Sequence, residues 1–471
     1  MATLRVFDYG YSGKEKKEHG ARTLYQIDRD RIIHSSSFRR LRNKTQVFGV
    51  FTLDYYRTRL THSLEVSQIA RTIASNLNKQ YGLAIDLDLI EAISLAHDIG
   101  HPPFGHLGEQ ILNKRLKELT EGRLGFEANA QNIRILTFLE KKFYDTSKNK
   151  LYGINPSLKT IDGILKYKLP YSQSDKMKHF IYDRDMFLLE RIHGSDFTDF
   201  IRDGRNLSLI NNDGRVKDKF FESTRCLECQ VLNVADDIAY ATHDLEDGVE
   251  SKLIDIRGEF KVKQFLKQEG YHADKTRKIE MEINSFFGGL KDIFRELDEG
   301  NYTNKGMPHI KIKTDLKEFF SKYISRFVLN IGAEERKKLL EKDPFCRKIP
   351  LDFGNNSYAS HIVLKNAAGL EIKALKQIAY RLVMENIGIV LNRYNAENML
   401  EKLYNVFSDE RNLRMYPDDF QELYNSGFYE EFGKDGFYMM CSDYMSGMTD
   451  MYAIKLYSSL FEAKNFAEPP F

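Results

Sequence analysis

The chain has 471 residues, 42% of them hydrophobic and 29% charged, a composition typical of a globular protein that excludes a disordered or fibrous one. The net charge of +2 gives no indication of a nucleic-acid partner, and only four cysteines exclude a disulfide framework and favour a reducing compartment. No apolar run reaches the roughly 18 residues that a membrane span needs, and the amino terminus lacks a signal-peptide pattern, so we expect a cytoplasmic protein without membrane contact.

Residues 1–21 are polar and contain glycine, which predicts a mobile N-terminal arm. The next stretch, Arg22–Arg59, is strongly basic, and its cationic side chains far outnumber its aspartates. This imbalance indicates either an anionic partner such as phosphate or salt bridges to acidic helices elsewhere, and the sequence leaves both open. Within the stretch, apolar residues around a glycine predict a short hairpin over residues 47–53.

The first strong helix is predicted from Arg59 to Tyr81. Its inward stripe is spaced by four, three and four residues and includes a histidine. The stripe consists of His62, Val66, Ile69 and Ile73. A histidine on an apolar stripe is usually a hydrogen-bonded core residue, so a role as metal ligand needs partners from another element.

A second helix is predicted to begin at an Asp88 cap, with a capping-box glutamate three residues later, and to end at Gly100 because two prolines follow. Its last turn carries His97 and Asp98. A carboxylate there faces the negative end of the helix dipole, unfavourable by roughly 0.3–1 kcal/mol, so a positive charge is expected nearby. Three of the twelve histidines fall between His97 and His106, which favours a divalent metal ion over a plain surface turn.

Further helices are predicted at Phe126–Phe143, Asp183–Phe200 and Phe220–Gly248. Glycines and prolines in residues 144–175 indicate an irregular insertion, and Asn, Asp and Gly residues indicate a polar loop over Asp203–Asp218. A Cys-x-x-Cys pair in the third of these helices has no second pair to complete a zinc site. We therefore interpret both cysteines as core residues.

The helix over Phe220–Gly248 carries a polar ridge beside its apolar stripe. Asp236, Tyr240 and Asp244 recur every four residues and therefore share one face. The Asp236 carboxylate has apolar helical neighbours, so it should be partly buried and in need of a cation or several donors. The candidate metal ligands are therefore His62, His97, Asp98 and Asp236. No periodicity shows that their three helices converge.

The remaining chain alternates helices with polar loops. Predicted helices are Ile279–Leu297, Asp315–Phe327, Gly369–Leu391, Ala396–Phe407 and Tyr444–Phe461, and short strands are predicted at Gly306–Ile312 and Ile349–Phe353. The fold class is mainly α with a few short strands or hairpins, divided into a catalytic helical domain over residues 22–407 and a C-terminal helical region over residues 408–471 that packs on it. The sequence has no phosphate-loop or dinucleotide glycine motif, which counts against a kinase or ATPase.

The pattern of a histidine, a His-Asp pair and a later aspartate resembles the HD superfamily of metal phosphohydrolases. In more detail, the chain is similar to the bacterial deoxyguanosine triphosphate triphosphohydrolases, and the resemblance extends over most of its length. The stretches that carry it are Ser37–Val47, Arg57–Val66, His97–His106, Ala235–Tyr240 and Asp443–Asp450. The His-Asp pair alone is unspecific, whereas the arginine-rich segment joined to it is highly specific.

The resemblance implies an HD-type helical fold that hydrolyses deoxynucleoside triphosphates, dGTP first, to deoxynucleoside and tripolyphosphate. The four candidate ligands would hold one divalent ion, Mn²⁺ or Mg²⁺. His106 would be the general acid–base, with Glu109 orienting its ring; whether it protonates the 5′ leaving oxygen or positions the attacking water stays open.

The resemblance also assigns substrate contacts. Gln46, Tyr240 and Asp244 would surround the sugar, with Tyr240 excluding a 2′-hydroxyl. Arg59, His101 and Lys166 would neutralise the charge of the triphosphate, and Tyr167 is a further expected substrate-binding residue. Met451 stands where many relatives have Arg, which weakens the inference of guanine preference. Relatives assemble as homo-oligomers, often hexamers, and some bind regulatory nucleotides, so both are expected partners here.

Two other functions stay open. An HD phosphodiesterase or nucleotidase with two metal ions would use His101 and His106 as ligands. A protein that binds single-stranded DNA would use the basic stretch as its surface. Metal content per chain, the phosphate products and salt-sensitive DNA binding distinguish these functions.

Overall fold

The computed structural model describes the chain at residues 4–7, 20–46, 57–148, 150–174, 178–251, 262, 266, 273–298, 308–340, 343, 345–352, 356–384 and 386–462. Helices dominate these residues, which confirms the predicted mainly α class, and their strands form two short antiparallel sheets. The hairpin predicted over residues 47–53 lies outside the described residues. No described helix combines the length and the apolar content that crossing a membrane requires.

In the first half of the chain the helices are α1 (Leu24–Ile33), α2 (Ser36–Arg40), α3 (Arg59–Tyr81), α4 (Leu87–Ala96), α5 (His106–Leu119), α6 (Ala128–Arg134), α7 (Leu158–Ile164), α8 (Met186–His193), α9 (Ser195–Arg202), α10 (Gly204–Asn212), α11 (Gly214–Thr224) and α12 (Leu227–Glu250). In the second half they are α13 (Ala273–Asp298), α14 (Pro308–Leu329), α15 (Arg336–Leu340), α16 (Asn356–Ala359), α17 (Ala368–Met384), α18 (Ile387–Phe407), α19 (Asp418–Asn425), α20 (Gly436–Ser446) and α21 (Asp450–Phe461). Strand β1 (Tyr144–Asp145) pairs with β2 (Lys150–Leu151), and β3 (Ile331–Glu335) pairs with β4 (Ser360–Leu364), Ile331 opposite Leu364.

Helices α3 and α4 begin and end at capping residues. The Thr58 hydroxyl accepts from a first-turn amide of α3, and Gly82, with a φ of 65°, ends it in the left-handed region, so the predicted bounds are confirmed. The predicted Asp88 cap of α4 is wrong. Asp86 is extended and its carboxylate accepts from two first-turn amides, whereas Asp88 already belongs to the helix.

The predicted loop over Asp203–Asp218 is also wrong, because these residues form α10 and the start of α11. Asp203 and Asp213 each precede a helix, and each accepts hydrogen bonds from two backbone amides of its first turn. The polar residues that suggested a loop are therefore caps of two short helices.

The region over residues 144–175, predicted to be an irregular insertion, contains β1, β2 and α7. Leu158 and Ile161 of α7 are fully buried, so the region contributes to the core. Residues 4–7 also pack on this region, because buried Arg5 pairs with Asp28 at 2.8 Å and forms a β-bridge with Ser157. This part of the predicted mobile arm is therefore anchored.

The predicted strands in the second half are wrong where the structure describes them. Residues 308–312 begin α14, and residues 349–352 form no strand. The strands that do form, β3 and β4, lack the alternation of buried and exposed residues that would have revealed them. The helix predicted over Gly369–Leu391 is divided at Asn386, whose side chain caps α18.

Apolar side chains of the described residues form two clusters. The larger contains the predicted stripes of α3, α4 and α12, and also buried residues of α7 and α17. The smaller joins α5 and the second half of α18 to α20 and α21. The turn between α4 and α5, residues 97–106, therefore connects one cluster to the other. All four cysteines are buried and free, which confirms that Cys226 and Cys229 are core residues.

Candidate active site

Three helices bring the four candidate metal ligands together. His62 lies on α3, His97 and Asp98 follow α4, and Asp236 lies on α12. Asp236 Oδ1 lies 3.1 Å from His62 Nε2 and 3.6 Å from His97 Nε2, and His97 Nε2 lies 3.5 Å from Asp98 Oδ1. Possible ligand atoms of His62, His97 and Asp98 all lie within 4.8 Å of one another. Residues distant in sequence thus form one cluster of two imidazoles and the Asp98 carboxylate, with the Asp236 carboxylate beside both imidazoles.

The hydrogen bonding of His97 prepares one nitrogen for a metal ion. Its Nδ1 lies 2.6 Å from the Ser94 carbonyl oxygen, an acceptor, so Nδ1 carries a proton and Nε2 is the nitrogen that can bind a metal ion. His97 Nε2 is buried and has no hydrogen-bond partner among the described residues. A buried imidazole nitrogen directed at two carboxylates fits a divalent ion such as Mn²⁺ or Mg²⁺.

The protonation states also fit a cation. Although burial alone would raise it, the neighbouring cationic groups, Lys166 first, hold the pKa of Asp236 well below its usual value. Burial would also raise the pKa of Asp98, but His101, His97 and Arg59 outweigh burial and lower that pKa. Burial lowers the pKa of His62, which keeps its ring neutral. Burial would lower the pKa of His97, but Asp98 and Asp236 outweigh it and raise that pKa, so this ring would release a proton when a metal ion binds. Anionic carboxylates and neutral imidazoles are the forms that bind metal.

Two basic side chains support the carboxylates from the outside. Buried Arg59 donates from a guanidinium nitrogen to Asp98 Oδ2 at 2.7 Å, and Lys166 Nζ donates to Asp236 Oδ2 at 3.3 Å. Each carboxylate therefore uses one oxygen for a cationic side chain and keeps the other toward the histidines. From the sequence we expect Arg59 and Lys166 to contact a triphosphate. The structure shows in addition that they pair with Asp98 and Asp236 and so orient the two carboxylates.

A side chain that sequence reasoning missed holds the turn that carries His97 and Asp98. Asn132 of α6 donates to the His97 carbonyl and accepts from the Gly100 amide at 2.6 Å. Gly100 packs so closely that an added Cβ would lie 2.3 Å from the Ala128 carbonyl oxygen. No local signal singled out Asn132, because α6 has the sequence Ala-Asn-Ala-Gln-Asn-Ile-Arg and several of its residues are polar.

A series of contacts leads from Asp98 to the predicted acid–base pair. His101 Nδ1 lies 3.1 Å from Asp98 Oδ1, the rings of His101 and His106 are 5.4 Å apart, and His106 Nδ1 lies 3.2 Å from Glu109 Oε2. Glu109 also accepts from the Ala128 amide at 2.8 Å. Although burial alone would raise it, the hydrogen bond to His106 lowers the pKa of Glu109 to about 2, so the carboxylate is anionic.

The His101 ring is uncharged near neutral pH. Burial and then the Arg59 guanidinium lower its pKa to about 4. The sequence expectation treated His101 as a cation that neutralises a triphosphate. In this structure it is a neutral imidazole that can donate or accept a hydrogen bond.

Comparison with known families gives two matches: a model of the HD domain covers residues 59–155, and a model of the phosphohydrolase-associated domain covers residues 362–459. A deoxyguanosinetriphosphate triphosphohydrolase-like protein of Shewanella sediminis is 31% identical, covering 96% of this chain and 95% of the relative. Proteins of the same name from Shewanella halifaxensis and Shewanella baltica are 31% and 32% identical, over 98% and 97% of this chain. The chain belongs to the deoxyguanosinetriphosphate triphosphohydrolase-like family.

Membership confirms the resemblance to HD phosphohydrolases that the motifs indicated. The HD match includes His62, His97 and Asp98, whereas Asp236 lies beyond it on α12. The fourth candidate ligand of this family member is therefore supplied outside the segment that defines the HD domain.

Two of the residues predicted to bind the sugar, Tyr240 and Gln46, have surroundings that suit a substrate. The Tyr240 ring is 5.0 Å from that of His62, between it and Lys376, whose Nζ is 4.8 Å from the Tyr240 centroid. The buried amide of Gln46 has no hydrogen-bond partner in the described part of the chain, so it is available to a ligand. Both are consistent with a binding pocket beside the four ligands.

Tyr167 and Asp244 contact other groups. The Tyr167 ring stacks on His179 at 4.1 Å and meets Phe221 edge-on at 5.1 Å. Burial and then Asp247 hold the pKa of Asp244 well above its usual value, so its carboxyl group favours the protonated form. The structure places neither side chain in contact with the four candidate ligands among the residues it describes.

The basic stretch Arg22–Arg59 is largely used inside the protein. Arg29 pairs with Asp88 at 2.9 Å, and Arg57 binds Glu65, Glu246 and Asp247. Arg31, Lys44 and Arg59 are buried, and Arg22 pairs with Asp30. Salt bridges and buried hydrogen bonds thus explain most of the positive charge that also suggested a nucleic-acid surface.

Proposed function

We propose that this protein hydrolyses deoxynucleoside triphosphates, with dGTP as the preferred substrate, to deoxynucleoside and tripolyphosphate in the presence of Mn²⁺ or Mg²⁺. The observation that carries the proposal is the convergence of His62, His97, Asp98 and Asp236 next to the His106–Glu109 pair. The names of the relatives, which are triphosphohydrolase-like proteins, support this substrate class.

The protein's own residues supply proton transfer and charge. A divalent ion held by the four ligands would supply Lewis-acid polarisation of a phosphoryl oxygen and activation of water. The His106 side chain is 64% exposed and hydrogen-bonded to anionic Glu109, so it can take up and release a proton beside the site. Lys166 and Arg59 lie next to the ligand carboxylates, where they place positive charge close to an incoming triphosphate.

Three residues are proposed to bind the sugar. The unpartnered amide of Gln46 can hydrogen-bond a hydroxyl group, and the Tyr240 ring beside His62 leaves little space for a 2′-hydroxyl. A protonated Asp244, one turn further along α12, can donate to a sugar hydroxyl.

The test is a panel of the four deoxynucleoside triphosphates and GTP with Mn²⁺ or Mg²⁺, with products separated by anion-exchange chromatography. We expect deoxyguanosine and tripolyphosphate in equal amounts from dGTP, and slower release from the other substrates. Orthophosphate or pyrophosphate as the initial product would contradict the proposal. His106→Ala should keep Mn²⁺ binding and lose roughly 10²–10⁴-fold in rate. His34→Ala, which removes an exposed imidazole at the end of α1, is the matched control and should turn over normally.

A second candidate function rests on a second cluster. Ligand atoms of His101, His106 and Glu109 also lie within 4.8 Å of one another, which is the arrangement that a two-metal HD phosphodiesterase or nucleotidase would use. The two candidate functions differ in the number of metal ions per chain, which can be measured by metal analysis of protein that has been loaded with Mn²⁺ and desalted. One ion per chain supports the proposed triphosphohydrolase, and two ions per chain, falling to one in His106→Ala, support the second candidate.

A further inference from the structure

A carboxylate from the phosphohydrolase-associated domain contacts the turn between α4 and α5, just before His106. Asp450, the first residue of α21, is fully buried. Its Oδ1 accepts from the Phe104 amide at 2.9 Å, and its Oδ2 accepts from the Thr45 amide at 2.9 Å and from the Thr45 hydroxyl. One side chain thus fixes two segments: the turn that leads to His106 and the segment that ends at Gln46.

The Phe104 contact lies where the turn needs support. Phe104 has a φ of 60°, and Gly105 follows with a φ of 59°. A residue with a side chain is strained in the left-handed region and keeps that conformation only when surrounding contacts impose it. The next residue, His106, is the first residue of α5. The hydrogen bond from the Phe104 amide to Asp450 therefore helps to fix the position of the proposed acid–base residue.

A buried lysine makes the reverse connection. Lys44 is 1% exposed, and its Nζ donates to the His101 carbonyl at 2.6 Å and to the Ser446 carbonyl at 2.8 Å. Ser446 is the last residue of α20, where carbonyl groups have no helical partner. Lys44 therefore joins the end of α20 to His101 in the turn between α4 and α5.

We propose that Asp450 and Lys44 are positioning residues, through which the associated domain sets the geometry of the His101–His106 turn and of Gln46. This inference rests on the proposed triphosphate hydrolysis for its kinetic consequence, but the anchoring itself does not. Neither residue touches the four candidate ligands directly. His101 connects Lys44 to Asp98, but Asn132 holds both the His97 carbonyl and the Gly100 amide on either side of Asp98. Losing the anchor should therefore reduce turnover and leave metal binding intact.

The kinetic test compares Asp450→Asn, Lys44→Met and Thr45→Val with Thr449→Ala. In Asp450→Asn the amide nitrogen cannot accept a hydrogen bond, so one of the two anchored segments is released. Thr449 is next to Asp450 and its hydroxyl accepts from the Tyr452 amide within α21, so Thr449→Ala removes a helix cap but neither of the Asp450 anchors and is the matched control. We expect kcat for dGTP to fall roughly a hundredfold in Asp450→Asn and Lys44→Met, since small misplacements of reacting groups have effects of this size. Mn²⁺ affinity, from calorimetric titration, should stay within about threefold, and Thr449→Ala should keep kcat.

Hydrogen–deuterium exchange tests the anchoring without activity. The amide of Phe104 or that of Thr45 should exchange faster in Asp450→Asn than in wild type or Thr449→Ala, because the asparagine side chain has one acceptor oxygen for the two amides. Thr45→Val, which removes only a hydroxyl, gives a smaller increase and covers the case in which Asp450→Asn does not fold. Unchanged exchange at both Phe104 and Thr45, or loss of Mn²⁺ binding in step with kcat, would overturn the inference. A wild-type protein that hydrolyses no deoxynucleoside triphosphate would refute the proposed function, while the exchange data would still decide the anchoring.

Discussion

Asn132 brackets the turn that follows His97 with both ends of its amide group: the nitrogen donates to the His97 carbonyl, and the oxygen accepts from the Gly100 amide at 2.6 Å. The two backbone groups lie on either side of Asp98. The side chain of one residue on α6 therefore determines the direction in which two candidate metal ligands on another element point.

Asn132→Ala should lower both stability and metal affinity. The substitution leaves a buried carbonyl and a buried N–H without partners, which is unfavourable by about 1–3 kcal/mol for each group. Because the freed turn carries His97 and Asp98, we expect Mn²⁺ affinity to fall roughly 10–100-fold, as for other groups that orient metal ligands. Calorimetric titration with Mn²⁺ measures the affinity, and thermal unfolding measures the stability.

The chain contains a matched control for this substitution. Asn78 brackets Ile85 in the same way, donating to its carbonyl at 2.8 Å and accepting from its amide at 2.9 Å, but away from the candidate site. Asn78→Ala should therefore reduce stability without changing Mn²⁺ affinity. Equal losses of affinity in both variants would show that general destabilisation, and not ligand orientation, is responsible.

Gly100→Ala should disrupt the same contact from the other side. An added Cβ would lie 2.3 Å from the Ala128 carbonyl oxygen and 2.5 Å from the backbone nitrogen of Asn132, so α6 must move away. Overpacking of this kind typically destabilises by about 1–3 kcal/mol. Gly288→Ala is the control: it places a Cβ in open space within α13 and should stabilise by roughly 0.5–1 kcal/mol. Chemical denaturation of the two variants measures the contrast.

The sequence predicted this site to different degrees at different levels. The spacing of His62, Val66 and Ile69 predicts α3 because helical periodicity is a local property, and the structure confirms it. Asp203 was misread because the same residue types favour loops and helix caps, and only the chain that follows distinguishes them. Convergence of Asp236 with His62 depends on how α12 packs on α3, which no local pattern encodes. The family motifs supplied that information instead.

Asp185 should make stability depend on pH. It is buried, and both carboxylate oxygens lack hydrogen-bond partners within the described ranges. Burial raises its pKa to about 7, against the lowering effect of Arg134 and Arg184. The folded protein therefore keeps a proton that the unfolded chain, with a pKa of about 4, has released. Its contribution to stability is fully present below pH 4, falls as pH rises from about 4 to about 7, and is constant above that.

Asp185→Asn should remove this dependence. The unfolding free energy of the variant, relative to wild type, should rise with pH by at most about 4 kcal/mol across the window, because each pKa unit corresponds to about 1.4 kcal/mol. Urea denaturation at pH 5, 6, 7 and 8 measures it. Asp196→Asn, at an exposed position on α9, should give a difference that does not vary over the same series. If the difference in unfolding free energy between Asp185→Asn and wild type does not change with pH, the pKa of Asp185 is not raised in the folded protein.

Metal removal should destabilise wild type but not variants that lack a ligand. An ion that binds only the folded state adds about 2.7 kcal/mol at a concentration 100 times its dissociation constant. Mn²⁺ should therefore raise the unfolding temperature of EDTA-treated wild type and leave that of Asp236→Asn unchanged. Asp237→Asn is the neighbouring control, because Asp237 is half-exposed and pairs with Lys376, so Mn²⁺ should stabilise it as it does wild type. Differential scanning calorimetry with and without Mn²⁺ decides between these outcomes.

Tyr240 is expected to exclude ribonucleotides through the position of its ring. The ring is held between His62 and Lys376, and Lys376 is itself fixed by Asp237 at 2.7 Å, so the ring cannot easily move aside for a 2′-hydroxyl. Tyr240→Ala should raise kcat/KM for GTP relative to dGTP by about tenfold or more, within the 10–200-fold range typical of steric discrimination. Tyr240→Phe keeps the ring and should keep the discrimination. If Phe relaxes it as much as Ala does, the hydroxyl group and not the ring rejects the ribose, and competition assays with both substrates in one reaction would show this directly.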